Sequence, residues 1–236
     1  MKVSIVCAYN TQVKMTKDFL DRMKYTTKKF VEDNNEIEMI LVNGGNKEDI
    51  VHPFITTLIH LDTNIGFSVT VNEGLKKVSP DSDYIFYVGN DSFPTYDGWL
   101  EDLINLQKDT GAGIVCPAND RPGLNAYKHL YQSETDEYYN VEFFPSIAYL
   151  ITKKCFDKVG LWDTIFIRSG MYGDNDYCAR TRLVGETIIV SKNILLKHLL
   201  SQEAPKLFNI DEDMRENHQR YINKWHKGIP EARIWY

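Results

Sequence analysis

Short runs rich in β-branched residues alternate with amphipathic stretches through the first half of this chain, and that alternation restricts the fold more than any other feature. Residues 2–8 (KVSIVCA), 38–42 (EMILV), 57–61, 84–88 (YIFYV) and 113–116 read as strands. Between them, Phe19, Leu20, Met23, Thr27, Phe30 and Val31 recur at helical spacing, as do Phe67, Val71, Leu75 and Val78, and then Trp99, Leu100, Leu103 and Leu106. Strands joined by helices of this length pair in parallel through right-handed crossovers, which gives an open α/β sheet. Ligands of such sheets bind beyond the carboxyl ends of the strands. Those ends carry Ala8-Tyr9-Asn10, Asn43-Gly44-Gly45 and Asn90-Asp91-Ser92, three polar tips expected to converge on one edge.

The second half is less regular. Residues 119–140, with a Pro-Gly and Tyr127, Tyr131, Tyr138 and Tyr139, read as an excursion that packs over the cleft or stacks on sugar rings or bases. A strand is expected over 143–151, a helix over 172–183, and two short strands over 187–190 and 194–196 that lead to His198. From residue 202 the sequence turns polar, with sparse apolar positions, and reads as a C-terminal helical appendage.

A chain of 236 residues can bury a core unaided, and 43% apolar with 25% charged residues excludes disorder and fibrous folds. A net charge of −6 argues against a duplex nucleic acid or an anionic membrane as main partner, although a local basic groove stays open. The basic run from Lys24 to Lys29 reads as a solvated helix face. No apolar run approaches the roughly 18 residues of a membrane span, and the N-terminus lacks the features of a signal peptide. Four scattered cysteines without a C-x-x-C pair point to reduced, buried thiols and a cytoplasmic location.

Neither a Rossmann G-x-G-x-x-G nor a Walker G-x-x-x-x-G-K follows the first strand, which removes dinucleotide oxidoreductases and P-loop NTPases. Instead Asp91 stands alone as the carboxylate of a neutral turn, either a plain turn before Pro94 or an oxygen ligand for a hard divalent cation shared with substrate phosphates. Asp174 and Asp176 open a helix, where they act as dipole-stabilised caps or supply a general base. Arg180, one turn after Asp176, makes that residue the better structural candidate.

Taken together, Ser4-Ile5-Val6-Cys7-Ala8-Tyr9-Asn10, Leu41-Val42-Asn43-Gly44-Gly45-Asn46, Asn64-Ile65-Gly66-Phe67 with Asn72 and Gly74, and Tyr87-Val88-Gly89-Asn90-Asp91-Ser92 occur in the order and spacing of a known family. So do residues 156–166 (FDKVGLWDTIF), Gly173-Asp174-Asn175-Asp176-Tyr177-Cys178 with Arg180, and His198. The chain resembles a family 2 glycosyltransferase of the GT-A fold from residue 3 to about residue 201. Three departures stand out: Asn43 replaces the usual Asp of the second strand tip, Gly173 the first acid of the family's E-D pair, and Thr164 the acid of D-E.

The resemblance implies a Rossmann-like, mostly parallel sheet flanked by helices, with a small antiparallel part in the second half. It divides the chain into residues 1–118 for the nucleotide sugar, 119–201 for acceptor and catalysis, and the appendage 202–236. It assigns Ala8, Tyr9, Asn10, Asn43, Asn64, Gly66, Asn72, Asn90 and Asp91 to the nucleotide-diphosphate sugar, a UDP-sugar favoured. Asp91 and His198 would hold Mn²⁺ or Mg²⁺. Trp162, Asp163 and Asp176 would lie on the acceptor side, and Asp174 would be the base of an inverting transfer to an acceptor hydroxyl. Alternatives are a catalytically impaired sugar- or nucleotide-binding protein of this fold, and a sugar nucleotidyltransferase, whose G-x-G-T-R-type loop is missing after the first strand. The acceptor and the oligomeric state stay open.

Overall fold

In the computed structural model, which describes residues 1–119, 131–199 and 204–225, the alternation resolves into β1 (Lys2–Tyr9), α1 (Val13–Thr26), α2 (Lys28–Glu32), β2 (Glu36–Asn43) and β3 (Thr57–His60). There follow α3 (Phe67–Leu75), β4 (Tyr84–Val88), a short β5 (Ser92–Pro94), α4 (Trp99–Thr110) and β6 (Ile114–Asn119). The rest comprises β7 (Tyr131–Glu134), β8 (Tyr138–Val141), β9 (Ala148–Thr152), α5 (Lys153–Val159), α6 (Gly173–Leu183), β10 (Ile188–His198), α7 (Ala204–Leu207) and α8 (Ile210–Trp225).

The strands form one mixed sheet in the order β3-β2-β1-β4-β9-β6-β10-β8-β7, with β5 paired to β10 off this path. Strands β3, β2, β1 and β4 run parallel, as the helical crossovers require. Strand β9 lies antiparallel between β4 and β6, while β6 and β10 are parallel to each other. Successive side chains of β1 serve the two sheet faces: Val3, Ile5 and Cys7 join the core under α1 and α4, and Val6 joins the core that includes Val71 and Leu75 of α3. Helix α1 buries Phe19, Leu20 and Met23 as their spacing predicts, but the stripe read as one helix breaks at Thr27 into α2, where Phe30 is buried and Val31 is 49% exposed.

The second half departs from the sequence reading in three places. The run 143–151 is strand only from Ala148, because Phe143 and Phe144 serve as core side chains outside the ladder. The two short strands expected before His198 are one strand, β10, with a register shift between Val190 and Leu195. Part of the tyrosine-rich excursion is a hairpin, β7–β8, on the sheet edge; Tyr127 lies outside the described residues. All four cysteines are buried and none is in a disulfide. Among the described residues no helix is long and apolar enough to cross a membrane.

Candidate active site

Asp91 and His198 meet because of strand register. Strand β5 starts immediately after Asp91 and runs antiparallel to the end of β10, pairing Ser92 with His198. The Leu199 amide donates to the Asp91 carbonyl at 2.9 Å and extends the ladder. A carboxylate before one strand and an imidazole at the end of the other are thereby brought to one corner, with Asp91 Oδ2 3.3 Å from His198 Nε2. The turn behind them is closed by the Ser92 amide on the Gly89 carbonyl, 3.0 Å. Asn90 is tied down as well, its amide donating to Thr16 Oγ1 of α1 at 3.0 Å.

A Cβ on Gly89 would stand 2.9 Å from Asp91 Oδ1, so a side chain there would push that carboxylate aside. Among the described residues no group of three or more His, Cys, Asp or Glu side chains is arranged to hold a metal ion. The corner offers one carboxylate and one imidazole, a set that suits a divalent cation completing its shell with substrate oxygens.

On the neighbouring strand ends a cleft of about 130 Å³ opens between Ala8, Tyr9 and Asn10 of the β1 tip, Gly44 after β2, and Asn64, Gly66 and Phe67 at the start of α3. Its walls include Thr70, Val71, Tyr87 and Ser169 and, from the C-terminal segment, Leu207 and Phe208. Tyr9 is fixed from behind: its hydroxyl donates to the Glu48 carbonyl at 2.9 Å and accepts from the Ile50 amide at 3.2 Å. Asn10 donates to the Gly44 carbonyl, joining the two strand tips. Gly66, at φ +92°, is pressed against the backbone of Arg168, 3.0 Å from where its Cβ would be, so only glycine fits without strain.

The two acids of α6 have different surroundings. Asp174 is 8% exposed and accepts the Asn175 amide at 3.0 Å. Asp176 is fully buried and saturated: Arg180 Nε donates at 2.8 Å, Trp225 Nε1 at 3.0 Å, and Lys224 Nζ lies at 2.5 Å. Trp225 and Lys224 belong to α8, which rides on the segment before α6. Asp213 of α8 accepts from Arg168 Nη1 and the Ser169 amide at 3.1 and 3.0 Å. Asn217 exchanges two 3.0 Å bonds with the backbone of Ile167, and Tyr221 packs against Phe166 and Tyr172.

Several residues expected at the site turn their side chains elsewhere. The amide of Asn43 is buried and spent on its own turn, donating to the Asn46 carbonyl at 2.9 Å and Asp49 Oδ1 at 2.8 Å, and accepting from the Asn46 amide at 2.7 Å. Gly44, rather than Asn43, lines the cleft. Asn72 clasps the backbone of Trp162 in both directions, at 2.8 and 2.9 Å. Trp162 is itself core, stacked on Tyr177 with its indole donating to the Tyr149 hydroxyl at 3.1 Å. Asp163 pairs with Lys224 at 2.6 Å. Sequence reasoning missed Ser169, Leu207 and Phe208, whose approach to the cleft depends on contacts across more than a hundred residues. It also passed over Asn175, 2% exposed, whose amide atoms have no partner among the described residues.

The sequence matches the family model described as Glycosyl transferase family 2 over residues 4–169. No curated protein sequence matches it. Among solved structures, the mannosyltransferase PcManGT from Pyrobaculum calidifontis, in complex with GDP-Man and Mn²⁺, superposes with a TM-score of 0.63 at 12% identity, over 98% of this chain and 77% of that one. S. aureus TarS gives 0.64 at 13% identity, over 94% of this chain and 40% of its own length. GalNAc-T7 with UDP, GalNAc and Mn²⁺ gives 0.61 at 11% identity, over 84% and 44%. The chain thus spans under half the length of the latter two. At these identities the likeness establishes the GT-A fold, to which the mixed sheet with its antiparallel β9 conforms.

Proposed function

The chain is a member of glycosyl transferase family 2, and on that premise we propose that it moves a sugar from a nucleotide-diphosphate donor, a UDP-sugar favoured, to an acceptor hydroxyl with inversion. The observation that carries this reading is the Asp91–His198 corner beside the cleft on the carboxyl ends of β1 and β2. The tips of β1 and β2 with the start of α3 take the nucleotide, and the corner takes the diphosphate end. Asp91 and His198 are the residues that would hold Mn²⁺ or Mg²⁺, a choice supported by the Mn²⁺ in the PcManGT and GalNAc-T7 complexes. A bound divalent ion supplies Lewis-acid stabilisation of the charge that develops on the leaving diphosphate.

Asp174 is the base. Its carboxylate accepts the acceptor's hydroxyl proton while the oxygen bonds to the anomeric carbon and the bond from that carbon to the diphosphate oxygen breaks. Asp176 is unsuited to this task, since it is fully buried and already held by Arg180, Lys224 and Trp225. Position 43 supplies no carboxylate, and Asp49, the acid beside it, is held by Asn43 and His60, so recognition of the base there falls to backbone groups and amides.

The test is release of nucleoside diphosphate from UDP- and GDP-sugars in the presence of Mn²⁺, with slow hydrolysis standing in for transfer. Release that a chelator or Asp91→Ala suppresses supports the reading. Release that survives both removes Asp91 as a metal ligand, and binding without release from any donor makes the protein a sugar-nucleotide binder.

A further inference from the structure

The cleft on the β1 and β2 tips is closed on one side by residues from the far end of the chain. Leu207 and Phe208 line it together with Phe67, Val71 and Tyr87, and both are half-buried. Neither Asp91 nor His198 is among its lining residues, so this is the end of the site away from the proposed diphosphate corner. Polar groups are few and sit among apolar walls: Asn10, Asn64, Thr70 and Ser169. The Ser169 hydroxyl is buried without a hydrogen-bond partner among the described residues. A flat, weakly polar ring with hydrogen-bonding edges suits such a space, because aromatic and aliphatic faces cover its faces and a few fixed polar groups read its edge.

The two residues are also firmly placed. Asn209 follows Phe208 directly and caps α8, its carbonyl accepting the Asp213 amide at 3.0 Å. Asp213 in turn accepts the Ser169 amide at 3.0 Å, and Asn217 holds Ile167 at 3.0 Å in both directions. One anchored unit therefore carries both Phe208 and Ser169 to the cleft.

We propose that Leu207 and Phe208 form the apolar wall of the donor's nucleobase subsite, so that the C-terminal segment is part of the donor site. This rests on the nucleotide-sugar reading above. Phe208 covers the base and touches no reacting atom, so its loss weakens binding and leaves the chemical step alone.

The experiment is calorimetric titration of the full chain with UDP in Mn²⁺, followed by donor kinetics, for wild type, Phe208→Ala, Phe208→Leu and Leu207→Ala. Removing one aromatic face should weaken UDP by about tenfold, and leucine should restore most of that loss. KM for the UDP-sugar should rise by the same factor with kcat held, and the melting temperature should stay, because a half-buried ring at the cleft carries little of the core. UDP affinity unchanged from wild type in both Phe208→Ala and Leu207→Ala, or tighter binding in either, overturns the wall. A fall in kcat and melting temperature at unchanged UDP affinity overturns it too, in favour of a structural role. A wild type that binds neither UDP nor GDP defeats the nucleotide-sugar reading itself, an outcome seen before any variant is made.

Discussion

Asp174 and Asp176 lie two residues apart at the start of α6, and only Asp176 is fully buried and held by Arg180, Lys224 and Trp225. Asp174→Asn keeps the shape and the bond from the Asn175 amide but removes basicity. Transfer should fall by roughly 10²–10⁴-fold while UDP affinity holds. Asp176→Asn instead leaves Arg180 and Lys224 facing a neutral amide, and should lower the urea midpoint more than turnover. Turnover lost in Asp176→Asn and kept in Asp174→Asn would move the base to Asp176. Gly89 gives a second test of single-residue reasoning. A methyl group there would meet Asp91 Oδ1 at 2.9 Å, and a carboxylate tip yields more easily than backbone. Gly89→Ala should therefore cost little stability yet raise the Mn²⁺ concentration needed for half-maximal nucleotide binding; an unchanged requirement would mean that Asp91 does not set it.

At the scale of elements, helix α8 is held to the body by charge as much as by packing. Burial pushes the Asp163 carboxyl up, but the Lys224 ammonium at 2.6 Å and the Ile165 amide outweigh it and hold its pKa below the ordinary value. A depressed carboxyl stabilises the fold above its unfolded-state pKa of about 3.9, and that contribution is lost as pH falls through the lower folded value. Lys224→Met should lower stability at neutral pH by about 2 kcal/mol, the scale of a charge-assisted bond. It should also flatten the decline in urea midpoint below about pH 4. Parallel pH profiles for the two proteins would sever Lys224 from the effect. This helix also marks the limit of what the sequence discloses. Strands β1, β2 and β4 were legible as short continuous apolar runs buried on both faces, and helices α1, α3 and α4 as apolar stripes at helical spacing, since both signals lie between neighbours in sequence. The direction of β9, the single long β10 and the true place of Asn43, Asn72 and Trp162 were not, since each is decided by partners far along the chain. Residues 202–236 read as an appendage for the same reason: Asp213, Asn217 and Trp225 of α8 find their partners in Ser169, Ile167 and Asp176, which nothing local in the sequence discloses.

For the molecule as a whole, the proposed site draws on strand tips, a short antiparallel ladder and the C-terminal segment, and on that reading the protein would supply only a partial metal shell. On the proposed reading Asp91 and His198 would provide two ligands, and among the described residues no cluster of three is arranged to hold an ion. Ion and nucleotide should therefore bind as a coupled pair, each raising the affinity of the other by the same factor. Mn²⁺ alone should barely move the melting temperature, because a divalent ion with two protein ligands keeps most of its water. UDP with Mn²⁺, at about 100 times its dissociation constant, should stabilise the fold by about 2.7 kcal/mol. For a domain of this size that is a rise of roughly 5–10 °C. UDP with a chelator should give a smaller rise, from the apolar cleft alone. The measurement is a melting curve in each of the four conditions, repeated with Asp91→Ala. Coupling predicts that the variant keeps the small rise with UDP and loses the extra rise from Mn²⁺. A full rise with UDP in chelator would mean that the diphosphate is held without the ion, and a full rise with Mn²⁺ alone would mean that the chain completes a metal site by itself.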